Sequence, residues 1–312
     1  MTNNLSKELF TSIAPETEQL NAVIVEAFGQ STPWQMEPAA LRKSLEEEPL
    51  FPQPPKSDNA TERTIPGPAG DIILRQFIPG SPKGVYYHIH GGGWMLGSAD
   101  GQDTRLEDIA NSCNLAVVSV EYRLAPEDPY PAGPDDCEAV ATWLLEHARA
   151  EYGSDRLLIG GESAGANLAV VTMLRMRDKH GYKGFKAANL TYGAFDLNGT
   201  PSARNFGDEP LIINTPFADW FVGHYVKQGD LNDPDISPMY ADLTDMPPAL
   251  FTIGTRDPLL DDSLFMYSRW LSAGNDAELA VYSGGAHGFD AFPIPIGLAA
   301  AAKRNGFLKS VL

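Results

Sequence analysis

The sequence predicts an α/β fold, a mostly parallel sheet with helices on both faces. Three observations carry that reading. Short apolar runs alternate with helix-length amphipathic stretches from about residue 85 onward, the pattern of a parallel sheet covered on both sides. The runs at 85–89 and 115–120 are apolar almost throughout, as strands buried on both faces are. At 156–174 a strand, a small-residue turn and a helix follow one another without a gap. A chain of 312 residues is long enough to bury a large core as one such domain with an insertion, or as two domains.

Residues 1–55 read as a helical segment separate from the main body of the chain. Leu20, Val23, Ile24, Ala27 and Phe28 recur at helical spacing, and a second helix is expected over 38–48. The stretch Phe51-Pro52-Gln53-Pro54-Pro55-Lys56 is too rich in proline for regular structure and reads as a linker. Strands at 61–65 and 71–77 flank Pro66-Gly67-Pro68-Ala69-Gly70, which predicts a hairpin with a longer loop at an antiparallel edge. Further strands are expected at 85–89, 115–120, 157–159, 189–192, 250–253 and 278–282. Helices are expected at 102–112, 135–149, 260–273 and 297–311. The span between 192 and 250 exceeds what one crossover needs, so part of it, about 197–230, reads as an insertion over the active-site end of the sheet.

The formal net charge is −18, which disfavours nucleic acid and anionic membrane surfaces as partners. Cys113 and Cys137 fall in apolar or helical contexts and read as buried free thiols, not as a disulfide framework. The N-terminus, Met1-Thr2-Asn3-Asn4-Leu5-Ser6-Lys7-Glu8, lacks the basic and apolar regions of a signal peptide. With no apolar stretch of membrane-spanning length, a soluble cytoplasmic protein is expected. His88-x-His90 has no acid or cysteine cluster near it in sequence, so no metal site is expected. The chain also lacks the Gly-x-Gly-x-x-Gly fingerprint of nucleotide binding.

The chemistry centres on Gly160-Gly161-Glu162-Ser163-Ala164-Gly165-Ala166-Asn167. Gly-x-Ser-x-Gly between a strand and a helix is the context of a nucleophile elbow, where a sharp, strained turn exposes the serine. The following helix points its first N–H groups at negative charge forming near Ser163. An acyl-transfer site also needs a base, an acid to orient it and donors for the oxyanion. Of the six histidines, His287 lies in a glycine-rich loop just after the last predicted strand. His147 and His180 read as solvated, His224 falls in the insertion, and His88 reads as structural. Asp257 follows another strand end between Ser163 and His287. Asp261 and Asp262 compete with it but open a predicted helix, where acids are ordinary. His90-Gly91-Gly92-Gly93-Trp94 follows a buried strand, and its unshielded N–H groups, with that of Ala164, can surround an oxyanion. The ring of His90 is expected to hold the loop by hydrogen bonds.

These segments, together with Glu121-Tyr122-Arg123-Leu124-Ala125-Pro126-Glu127, Asp257-Pro258-Leu259 and His287-Gly288-Phe289, resemble the hormone-sensitive-lipase-like family of α/β-hydrolases in its bacterial carboxylesterase branch, bacterial family IV. The resemblance runs over roughly residues 80–290 in matching order and spacing. It implies the α/β-hydrolase fold, a mostly parallel eight-stranded sheet with a helical cap. The catalytic domain would then be 56–312, and the cap would combine 1–55 with the insertion at about 197–230. It implies a triad of Ser163, Asp257 and His287, an oxyanion hole from Gly91, Gly92, Gly93 and Ala164, and hydrolysis of short- to medium-chain acyl esters without a cofactor. A homodimer through the sheet edge is known in the family, though nothing in the sequence requires it. Two residues depart from the usual pattern. Glu162 stands where aspartate is common and Ala166 where glycine is, both able to alter the pocket near the elbow. Arg123 is expected to anchor carboxylates beneath the site, and Pro126 to end its strand. Trp94, Phe206, Leu211, Phe217, Trp220 and Phe289, with Glu162, are the candidate substrate contacts. Two other functions fit the same parts: amide or formamide hydrolysis in the manner of arylformamidases, and non-catalytic ligand binding on this scaffold. The presence of His287 argues against the second.

Overall fold

The runs that are apolar on both faces do form the centre of one sheet. A computed structural model describes residues 6–29, 31–51 and 55–312. The described residues form eight strands: β1 (Thr61–Gly67), β2 (Gly70–Phe77), β3 (Val85–Ile89), β4 (Ala116–Val120), β5 (Leu157–Glu162), β6 (Ala188–Thr191), β7 (Ala249–Arg256) and β8 (Ala277–Ala286). Their order is β1-β2-β4-β3-β5-β6-β7-β8. The β1–β2 and β2–β4 pairs are antiparallel and the others parallel. Every residue of β3, β4, β5 and β6 is buried.

Alternation along the strands divides the core into two layers. Val85, Tyr87 and Ile89 of β3 face one side with Val140 and Leu144 of α5 (Ala132–Tyr152) and Leu168 of α6 (Ala164–His180). Tyr86 faces the other with Leu106 and Ile109 of α4 (Asp103–Cys113) and Phe307 and Leu308 of α10 (Pro295–Ser310). Side chains two apart share a face, so one five-residue strand serves both layers. Met266 and Trp270 of α9 (Leu260–Ser272) join the first layer. Cys113 and Cys137 are buried free thiols.

Two expectations change, and the carboxylate partner expected for Arg123 is found in Asp136. The hairpin turn is tight: Gly67 pairs with Gly70, leaving Pro68 and Ala69 as its tip. Pro66 is tolerated inside β1 because that strand lies at the sheet edge. β4 ends at Val120, well before Pro126, and Arg123 binds Asp136 of α5 at 2.8 Å, fastening the loop after β4 to that helix.

The N-terminal region forms α1 (Lys7–Thr11), α2 (Pro15–Phe28) and α3 (Pro38–Glu47). Leu20, Ile24 and Phe28 of α2 are buried at four-residue spacing, whereas Val23, on the flank of that stripe, is 48 % exposed. The side-chain amide of Asn21 donates to Gly284 O at 2.8 Å, so α2 rests on the end of β8. Arg42 of α3 donates to Met95 O at 2.8 Å and pairs with Glu127. The 197–230 stretch carries α7 (Pro201–Asn205) and α8 (Thr215–Tyr225). The expected linker and signal-peptide readings involve residues 52–54 and 1–5, which lie outside the described residues. Among the described residues no helix is long and apolar enough to cross a membrane.

Candidate active site

Four segments that carry the candidate residues begin where a parallel strand ends. Ser163 follows β5, His90 follows β3, Asp257 follows β7 and His287 follows β8. Register brings these ends together: Ile89 pairs with Gly161, Glu162 with Thr191, and Arg256 with Ala286.

At the elbow Ser163 adopts φ 55° and ψ −120°, a sparsely populated backbone conformation for a residue with a side chain. Its N–H donates to Thr191 O at 2.9 Å. A Cβ on Gly161 would lie 2.2 Å from Ile89 O, and one on Gly165 2.0 Å from the same oxygen. Only glycine lets β3, β5 and α6 converge there. Nε2 of His287 lies 3.0 Å from Ser163 Oγ, and Nδ1 lies 2.9 Å from Asp257 Oδ2. Asp257 Oδ1 accepts the N–H of Leu259 at 2.8 Å. Asp257 and His287 are both buried. The competing acids are engaged elsewhere. Asp261 accepts the N–H of Ser202 at 2.8 Å, and Asp262 accepts from Phe195 N, Asp196 N and Thr200 Oγ1 at 2.7, 2.9 and 2.6 Å.

Gly91, Gly92, Gly93 and Ser163 line one cavity of about 430 Å³. Gly92 and Gly93 have φ 116° and 59°. Ala164 is the first residue of α6, so its N–H has no acceptor within the helix. The His90 ring stacks on Tyr122 at 4.3 Å, and its Nδ1 lies 2.8 Å from Gly91 O. Burial lowers its pKa to about 4, which keeps the imidazole neutral near pH 7.

Behind the elbow lies a buried charged network. Glu162 meets His88 Nε2 at 2.9 Å and Arg105 at 3.0 Å; Arg105 also binds Asp290 at 2.8 and 3.1 Å. Burial works to raise the Glu162 pKa, but Arg105 and His88 outweigh it and hold the carboxyl at about 2. His88 is also 2.9 Å from Ser119 Oγ, which leaves it engaged on both ring nitrogens. Among the described residues no group of three or more His, Cys, Asp or Glu side chains is arranged to hold a metal ion.

Of the candidate substrate contacts, Trp94, Glu162 and Phe217 line the cavity, and the Glu162 carboxylate is occupied by its ion pairs. Phe206, Leu211, Trp220 and Phe289 lie outside its lining. Leu211 is fully buried against Leu20, Ile24 and Phe28, with Phe206 packed on that cluster. Phe289 is fully buried beside Tyr192 and Tyr282. Trp220 packs beside Phe217, Phe221 and His224. On α8 the positions four apart, Phe217 and Phe221, face the cavity, and Trp220 is turned about 100° from Phe221. Sequence reasoning missed Phe221, Val222, Leu41, Leu45, Tyr192 and Arg105, all in the lining. Four-residue spacing would have found Phe221 and Leu45, and Tyr192 directly follows β6; nothing local marks Arg105.

Comparison with known proteins identifies the family. The family model described as alpha/beta hydrolase fold matches residues 86–291. Carboxylesterase NlhH of Mycobacterium tuberculosis is 37 % identical over 76 % of this chain and 76 % of its own length. Carboxylic ester hydrolase LipN of the same organism is 34 % identical over 77 % of this chain and 66 % of its own. An esterase structure from Pyrobaculum calidifontis is 31 % identical with a TM-score of 0.86, covering 96 % of this chain and 100 % of that one. An ester-hydrolase from the Lake Arreo metagenome, solved with a bipyridine phosphonate derivative, is 29 % identical with a TM-score of 0.87, covering 96 % and 98 %. The chain belongs to this α/β-hydrolase family, in the hormone-sensitive-lipase-like branch that its motifs resemble.

Proposed function

We propose that the protein is a serine carboxylesterase acting on short- to medium-chain esters. The observation that carries this reading is the Ser163–His287–Asp257 chain, with links of 3.0 and 2.9 Å, opening onto an apolar cavity. Neutral His287 takes the Ser163 proton as Oγ attacks the ester carbonyl. The N–H groups of the Gly91–Gly93 loop and of Ala164 receive the oxyanion. Protonated His287 then gives its proton to the departing alcohol, leaving an acyl-enzyme. Water, activated by the same imidazole, releases the acid and returns Ser163. Asp257 accepts from the other ring nitrogen throughout, fixing the tautomer and stabilising the imidazolium.

The helices of residues 6–47 and the α7–α8 stretch would together form the cap. Phe28, Leu41 and Leu45 reach the cavity from the first, Phe217, Phe221 and Val222 from the second. Apolar walls around about 430 Å³ suit an apolar acyl or alcohol group of modest size. The test is steady-state hydrolysis of p-nitrophenyl esters of increasing chain length by wild type and Ser163→Ala. The expected loss in kcat is about 10⁶-fold. Equal rates would remove Ser163 from its role. Running a formamide beside the esters separates ester from amide hydrolysis.

A further inference from the structure

We propose that Arg105 is a positioning residue that sets the register between Ser163 and His287 by clamping the two loops that carry them. The proposal rests on the triad reading of the site. Arg105 lies in the first turn of α4 and directs its hydrogen bonds to neither Ser163 nor His287. Its guanidinium instead reaches one neighbour of each. Glu162 immediately precedes the nucleophile, and Asp290 lies three residues beyond the imidazole. Nη1 donates to both Glu162 Oε1 at 3.0 Å and Asp290 Oδ2 at 2.8 Å, while Nη2 donates to Asp290 Oδ1 at 3.1 Å.

The remaining acceptor positions are filled. Glu162 Oε2 lies 2.9 Å from His88 Nε2, and Asp290 Oδ1 also accepts from the Tyr192 hydroxyl at 2.7 Å. Tyr192 in turn carries its ring 4.7 Å from that of His287, on backbone held at φ 37°. Each carboxylate oxygen therefore has a donor, and the network touches the imidazole through Tyr192. A buried ion pair is weak evidence for stability, since apolar groups of similar volume often do as well. What a planar, two-pronged guanidinium supplies is fixed geometry. Fixed geometry has the most value between two loops whose side chains must stay in proton-transfer reach. The network also gives Glu162, one of the two residues that depart from the usual motif pattern, definite partners in Arg105 and His88.

The experiment compares Arg105→Met, Arg105→Lys and Asp290→Asn with wild type on p-nitrophenyl butyrate. Active sites are first counted by end-point titration with a fluorophosphonate, and thermal midpoints are recorded. A merely structural role lowers the midpoint and the titratable fraction but leaves turnover per titrated site unchanged. Positioning lowers kcat per titrated site by about tenfold or more, toward the ~10²-fold that a ~1 Å misplacement costs, with KM within about twofold. Arg105→Lys keeps the charge but loses the fork, so it should fall between wild type and Arg105→Met. Should Arg105→Met fail to fold, Asp290→Asn keeps the Arg105–Glu162 pair and reads the same quantity. A kcat per titrated site within twofold of wild type in every folded variant overturns the proposal. Failure of wild type to be labelled at Ser163 would instead overturn the triad reading.

Discussion

Asp257 divides its two oxygens between two donors. Oδ1 takes the Leu259 N–H and Oδ2 faces Nδ1 of His287. An asparagine there would keep its carbonyl on Leu259, because an amide NH₂ cannot accept that bond. Its NH₂ would then face Nδ1 and force the imidazole into the tautomer with the proton on Nε2, next to Ser163. A base in that tautomer cannot take the serine proton. Asp257→Asn is therefore expected to lower kcat by about 10⁴-fold while the thermal midpoint stays within a few degrees. Esterase assay beside a melting curve checks both. A loss below tenfold would argue that Asp257 is not the orienting acid. The same reasoning separates Asp257 from Asp262, whose three donors come from the segment leading into α7 and none from an imidazole.

Among the elements, the central strands were legible because a strand buried on both faces is apolar almost throughout, and β3 and β4 are so except for His88 and Ser119, which satisfy each other by a hydrogen bond. The segments carrying Ser163, Asp257 and His287 were legible because each begins at a strand end with residues of distinct chemistry. The pocket wall was less so. Phe206, Leu211, Trp220 and Phe289 are as apolar as the true lining, and only packing decides which apolar groups meet the cavity and which meet each other. Arg105 was invisible because its partners lie 57 and 185 positions away. Helix α8 illustrates what packing adds. Its Phe221 ring lies where a Cβ on Gly93 would be, 2.3 Å from that position, and Tyr225 stacks on Trp94 at 4.5 Å. The helix thus seats the glycine loop and walls the cavity at once. Phe221→Ala should deepen the pocket and free the loop. Each further buried CH₂ is worth about 0.8 kcal/mol, roughly fourfold. Room for two would raise kcat/KM for an octanoate relative to a butyrate ester by about fifteenfold, while kcat on butyrate falls as Gly93 loses its support. An unchanged chain-length profile would place Phe221 outside the acyl path.

Over the whole molecule, 41 acidic residues against 23 basic ones make titration of carboxylates a first-order influence on stability. They do not act in one direction. Burial would raise Glu162, but Arg105 and His88 bring it to about 2, below its ordinary value. Its contribution is present above about pH 4.5 and is lost as pH falls toward 2. Asp235 acts in the same sense: burial opposes the shift, and Arg175 pulls it down. Asp262 does the reverse. Burial raises its pKa to about 7, against the pull of Thr200 and the Asp196 and Phe195 N–H groups. Between its ordinary value and about 7 the folded protein keeps a proton that the unfolded chain has released. Stability from this group therefore falls as pH rises through that window, and levels off above it. A shift of this size corresponds to a few kcal/mol at most. Asp262→Asn preserves the shape, since its carbonyl can still receive the two N–H groups and its NH₂ can donate to Thr200 Oγ1. The variant titrates in neither state. Unfolding free energies of wild type and Asp262→Asn, measured by denaturant at intervals from pH 4 to pH 8, isolate the group, because the other carboxylates are common to both. The variant should gain on wild type steadily up to about pH 7 and then hold its lead. Parallel curves would mean that the three donors keep Asp262 ionised across the whole range, and that its clasp on the α7 segment is independent of pH.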